Sequence, residues 1–106
     1  MTLSIKEKNH VTTPISATTS AVVSNEIELV SERNYTIISS PLQTGERIGI
    51  LVYDYSTGQF NQMYIGGVEV YMTQFHHILT FQNVSCVIKI DKGITANPVG
   101  VSIASR

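Results

Sequence analysis

The sequence predicts an all-β fold, an antiparallel β-sandwich or small barrel of the jelly-roll or immunoglobulin-like kind, with an extended N-terminal arm. Three observations predict it. From residue 25 onward, short runs rich in β-branched and aromatic residues alternate with turn residues. Gly, Asn and Ser punctuate those runs at spacings expected of a sandwich. No segment sustains a 3.6-residue apolar period, and neither an internal repeat nor a heptad stretch is present.

Taken in chain order, residues 1–24 hold no Phe, Tyr or Trp and are dense in Ser and Thr. Such a stretch has little apolar surface to offset the entropy of ordering it, so it reads as a flexible or extended arm. Thr12, Thr13, Ile15, Thr18 and Thr19 favour extended backbone, which makes them candidates for pairing with a neighbouring sheet edge. Residues 25–106 form the single β domain. Glu26-Ile27-Glu28-Leu29 alternates strictly and marks a strand with one wet face. Asn34 to Ile38 is a second strand, and Pro41 to Gly45 a connection.

Arg47 to Tyr55 is the strongest strand, apolar on both sides in its middle, and is expected to be central and covered on both faces. Ser56-Thr57-Gly58 turns the chain into Gln59 to Ile65, with Gly58 supplying a positive φ. Gly66-Gly67 is a tight turn or bulge before Val68 to Met72. His76 to Phe81, Val84 to Ile90 and Val99 to Ile103 complete about eight strands, with Gln82-Asn83 as a two-residue turn between the first two of these.

Size and composition bound the function. At 106 residues there is room for one core, and a thin one, so assembly with copies or partners would add stability. The net charge is −1, with seven basic and eight acidic residues scattered singly, so no basic stripe exists to neutralise phosphates and no nucleic-acid partner is expected. Charged residues are 14% of the chain against about 25% in ordinary domains, a balance that suits a surface covered in an assembly. The N-terminus lacks the apolar run of a signal peptide and no stretch is long enough to span a bilayer, so synthesis in a host cytoplasm with no membrane partner is expected.

Candidate chemistry is sparse. His76-His77 sit next to one another in a strand, where adjacent side chains point to opposite faces and cannot easily chelate one ion. Asp54 and Glu69 could form an acid/base pair only if the fold converged them, and Asp54 has a simpler use in accepting hydrogen bonds from the Ser56-Thr57-Gly58 turn. Cys86 is the lone cysteine, alternating with Val84 and Ile88 on an apolar face, and reads as an inert packing residue. Gly66-Gly67 has no following Lys or helix to make it a phosphate cradle. No catalytic residue, metal or cofactor is expected. Tyr53, Tyr55, Tyr64 and Tyr71 form an aromatic set in mid-domain, suited to core or rim packing or to binding a protein or sugar partner.

A Thr/Ser/Ala-rich arm, the strands Glu26-Ile27-Glu28-Leu29 and Asn34-Tyr35-Thr36-Ile37, Gly45-Glu46-Arg47-Ile48 leading into Val52-Tyr53-Asp54, and the ending Asn97-Pro98-Val99-Gly100-Val101 together resemble small tailed-phage virion proteins of the head decoration (cement) or accessory fibre and tail type. The resemblance is one of texture and carries over no functional residue. It implies a non-enzymatic protein located in the virion that binds an assembled lattice such as the major capsid protein, often as a homotrimer, with the arm lying along neighbouring subunits. The alternative is a receptor- or carbohydrate-binding module of a fibre or tail.

Overall fold

The computed structural model describes residues 2–106 and contains strands and turns only. Alternating apolar residues generate two facing sheets. In the first, β4 (Ile27–Leu29), β12 (Cys86–Lys92) and β6 (Ile48–Asp54) run antiparallel side by side. β1 (Leu3–Ser4) pairs parallel with β4, β3 (Val22–Val23) with β12, and β7 (Gln59–Gln62) and β10 (Tyr71–Met72) with β6. The second sheet has the order β11 (Ile78–Phe81), β5 (Tyr35–Ser39), β13 (Val99–Ser105), β2 (His10–Thr18). A small hairpin of β8 (Tyr64–Ile65) and β9 (Val68–Glu69) stands apart.

The period-2 pattern sends Ile27, Leu29, Ile48, Ile50, Met72, Ile88 and Ile90 of the first sheet against Ile15, Tyr35, Ile37, Phe81, Val99, Val101 and Ile103 of the second, all buried. The all-β sandwich is therefore the observed fold. The eight expected runs are each found as strand, but Met63 and Val70 interrupt two of them. There Met63 donates its N–H to Ile50 O and Val70 its N–H to Met63 O, outside the regular ladder. Gly58, Gly66 and Gly67 have positive φ, at 71°, 60° and 81°, as their turns require.

Three expectations are corrected. Residues 1–24 are not an arm set apart from the domain: from Leu3 onward they supply β1, β2 and β3, so both sheets include them. The segment is extended, but it pairs with β13 of its own chain. Ile5 and Ile15 plug the core at 3% and 2% exposure, and the buried Tyr35 hydroxyl donates to Ile5 O (2.7 Å) while accepting from Val30 N–H (2.9 Å). Second, β6 is central but covered on one face; Leu51 and Tyr53 stay half-exposed because no layer lies over the first sheet's outer side, whereas Val52 between them points inward and packs against the core. Third, Gln82-Asn83 does not close a hairpin, because β11 and β12 belong to different sheets; Asn83, at φ 56°, helps the chain cross between them.

β2 follows β13 with two irregularities. Val99 lies opposite Thr18, Val101 opposite Ile15 and Ile103 opposite Thr12, so β2 spends three residues where β13 spends two, twice over. Pro14, which has no N–H to give, falls in one of these bulges. At the other, β2 presses so closely on Gly100 that a Cβ there would lie 2.9 Å from both Ala17 N and Ile15 O.

Polar groups in the interior are matched. Ser24 Oγ accepts Ile90 N–H (2.9 Å) and donates to Asn25 O (2.8 Å). Lys92 is buried with its ammonium donating to Ser20 O (2.8 Å) and Gly93 O (3.0 Å), and burial lowers its pKa. Glu46 accepts from Gln43 N–H (2.8 Å) and Ala96 N–H (2.7 Å), tying two loops together, and these bonds hold its carboxyl below the usual range. A depressed carboxylate pKa gives stability that is present above the unfolded-state value and lost as pH falls through the folded one. The melting temperature is therefore expected to decline below about pH 4, and less steeply in Glu46→Gln, as thermal scans across acid buffers would measure.

Candidate binding surfaces

The two outward faces of the sandwich differ in chemistry. On the second sheet, register aligns Thr80, Thr36, Ala104 and Val11 in one row across all four strands. A second row runs Ile78, Ile38 and Ser102 to Thr13, whose hydroxyl lies 3.3 Å from that of Ser102. Residues opposite one another share a face, so these eight side chains form one surface. None carries a charge, and Val11, Ile38 and Ile78 are 65%, 42% and 50% exposed. The face is bounded on one side by β2, whose outer backbone edge has no strand partner among the described residues.

The first sheet's outer face is charged and aromatic. Glu28 there accepts from Ser4 Oγ (3.0 Å) and meets Lys6 Nζ at 3.5 Å. Tyr53 contacts Tyr55 and Phe60 edge-on, with ring centroids 4.8 and 5.3 Å away, and Lys89 Nζ sits 4.4 Å from the centre of the Phe60 ring. Further along, Arg47 stacks 4.2 Å from the centre of the Tyr71 ring. The Glu69 carboxylate beside the Tyr71 hydroxyl raises that phenol's pKa, with burial adding and Arg47 opposing. Tyr64 lies on the β8–β9 hairpin across from Glu69, exposed together with Ile65 and Val68.

The residues singled out in the sequence thus separate. Tyr53 and Tyr55 make one cluster and Tyr71 a second on the same face, while Tyr64 sits across from Glu69, the neighbour of Tyr71. Of the arm residues, Thr13 belongs to the uncharged face and Thr19 is exposed, whereas Thr12 sits opposite Ile103 and Thr18 caps a turn by accepting Ser20 N–H. Ile15 is core and cannot reach a partner from this fold. Asp54 does accept the Ser56 amide (2.9 Å) and hydroxyl (2.6 Å), which lowers its pKa. His76 and His77 are both exposed, His76 paired through its backbone with Thr73. Cys86 is half-buried, and burial pushes its thiol up. No group of three or more His, Cys, Asp or Glu converges among the described residues. No helix there is long and apolar enough to cross a membrane.

What the sequence did not reveal is the uncharged face. Its eight residues come from four separate segments, and only the pairing of β5, β11 and β13 and the bulged register of β2 bring them together. No family model matches the chain, and no curated protein matches it. Among solved structures the chain is similar to the SPBc2 prophage-derived protein YomS, with a TM-score of 0.65 at 16% identity over 93% of this chain and 94% of that one. At that identity the similarity speaks for the fold alone.

Proposed function

We propose that the chain is a phage-associated, non-enzymatic structural protein, a capsid decoration protein that adds to an assembled lattice of virion subunits such as the major capsid protein. The observation that carries this reading is the uncharged outer face of β11, β5, β13 and β2. Interface centres are depleted in charge, and side chains as short as Ser, Thr and Ala lose little entropy when covered. A fold shared with a prophage-derived protein supports the phage association. The lattice contact is assigned to the face, because the segment expected to reach out to neighbours is occupied within its own sheet.

Assembled particles lacking the protein, mixed with purified chain and sedimented, provide the test. Thr13→Glu combined with Ser102→Glu places one carboxylate on the inner strand β13 and one beside it on the edge strand β2, while leaving the core untouched. Particle binding should fall roughly tenfold or more, since charges buried without partners cost several kcal/mol. Unchanged binding would remove the face from the interaction, and no binding by the unmodified protein would remove the proposal. Light scattering of the same preparation reads whether the expected homotrimer forms.

A second reading, a receptor- or carbohydrate-binding module of a fibre or tail, draws on a different observation, the Tyr53, Tyr55 and Phe60 cluster on the opposite face.

A further inference from the structure

Three strands of the first sheet place Asp91, Gly49 and Tyr71 in one row on the outer face, with glycine in the middle. Gly49 has no positive φ to demand a glycine, and glycine within a strand costs backbone entropy relative to any residue with a side chain. Its missing side chain does two things. The Tyr71 ring lies over it on one side, 3.4 Å from where a Cβ would be. Toward Asp91 the gap stays open, and with Gly45, Gly93 and Ile94 around it forms a cleft of about 390 Å³, inside the range of small-molecule sites.

Three of the polar groups lining the cleft are unspent. Gln62 Nε2 donates to Met63 O (3.1 Å) and Val70 O (2.9 Å), which fixes the amide and leaves Oε1 over Gly49, 3.3 Å from the Cβ position. The Asp91 carboxylate has no hydrogen bond or ion pair among the described residues, and Arg47 is held by stacking on Tyr71 with no carboxylate partner. The cleft therefore offers one free cation as donor, one free carboxylate and one oriented amide oxygen as acceptors. Glu46 is already engaged by two backbone amides. Ile94, 80% exposed, supplies an apolar flank.

We infer that this cleft binds a neutral polyhydroxylated ligand, a pyranose unit of a glycan. A single hydroxyl both donates and accepts, so a sugar can satisfy Asp91, Gln62 Oε1 and Arg47 together, with its C–H surface against Ile94. An anion would meet the Asp91 and Glu46 carboxylates and a cation the Arg47 guanidinium, whereas a neutral ligand meets no like charge. This site lies on the sheet opposite the proposed lattice contact and stands independently of it.

Amide chemical shifts of the full, isotope-labelled chain, followed during titration with the methyl glycosides of glucose, galactose and N-acetylglucosamine, test the inference, with tetramethylammonium and acetate as charged controls. At least one glycoside should give saturable shifts centred on Gly49, Asp91, Gly93 and Ile94, and Asp91→Ala, a change at an exposed position, should weaken them roughly tenfold by removing a charged hydrogen-bond acceptor. Gly49→Leu, which fills the cleft, should abolish them; where that variant fails to fold, Asp91→Ala decides. Absence of saturation with every glycoside, equal binding by Asp91→Ala, or saturation by the charged controls alone would overturn it.

Discussion

Deletion of residues 1–24 is expected to abolish the cooperative unfolding transition, leaving a chain with broad, non-sigmoidal thermal and denaturant curves. Composition alone would make this segment dispensable, and the opposite follows from its contacts. Ile5 and Ile15 each withdraw a side chain from water, worth about 2–3 kcal/mol apiece. Loss of β2 would also turn β13 into an edge strand and uncover Val101 and Ile103 beside it. Tyr35 would keep a buried hydroxyl without its acceptor at Ile5 O, Ser105 Oγ would lose Glu7 O, and the Lys92 ammonium would lose Ser20 O. Against a net stability of roughly 5–15 kcal/mol for a small domain, these losses are decisive. A truncated chain that still melts cooperatively near the temperature of the full one would contradict the assignment of β2 to the second sheet.

Gly100→Ala is expected to be the most damaging methyl group that can be added to the chain, destabilising it by about 1–3 kcal/mol. At the other glycines a new Cβ meets either no atom within 4 Å or, at Gly49 and Gly58, a side chain. At Gly100 it meets Ala17 N and Ile15 O, both 2.9 Å distant and both backbone, so β2 itself must lift off β13. The change should lower the melting temperature by roughly 5–20 °C. Amide exchange should show the loosening confined to β2 and its partner strand, a local opening of the kind hydrogen exchange resolves. Gly45→Ala, where no atom lies within 4 Å but φ is 83°, is the useful comparison, since its cost is backbone strain alone. A Gly100→Ala protein as stable as its parent would mean that the close approach of β2 is not a feature of the fold.

The strands from Ile27 onward were legible because their alternation matches a surface wet on one side and packed on the other; Glu26-Ile27-Glu28-Leu29 is the plainest case. The first 24 residues were not, and the reason is physical. Ile15 is the only buried residue of β2, because the strand lies at the sheet edge and its bulges turn side chains away from the core. A strand that buries one side chain in nine looks polar, and its Thr and Ser content then reads as disorder. The Tyr set was legible as surface material but not its division, since Tyr53 and Tyr71 share a sheet face while Tyr64 lies on a separate hairpin. The Asp91, Gly49, Tyr71 row joins residues twenty or more positions apart and depends on strand order, which local pattern does not encode.

The position of β13 has a consequence for how the protein is made. It lies between β2 and β5, joining residues 10–18 to residues 35–39 through the span 99–105. On the ribosome, the second sheet cannot assemble until everything through Ser105 has left the exit tunnel. Until then β2 and β5 have no strand between them, and Ile15 and Ile37 wait exposed. Such late, long-range closure makes folding slow and leaves unpaired strands vulnerable to association with other chains. During synthesis the Ser- and Thr-rich character of the first segment becomes an asset: a polar edge strand can wait in water without aggregating, where a more apolar one could not.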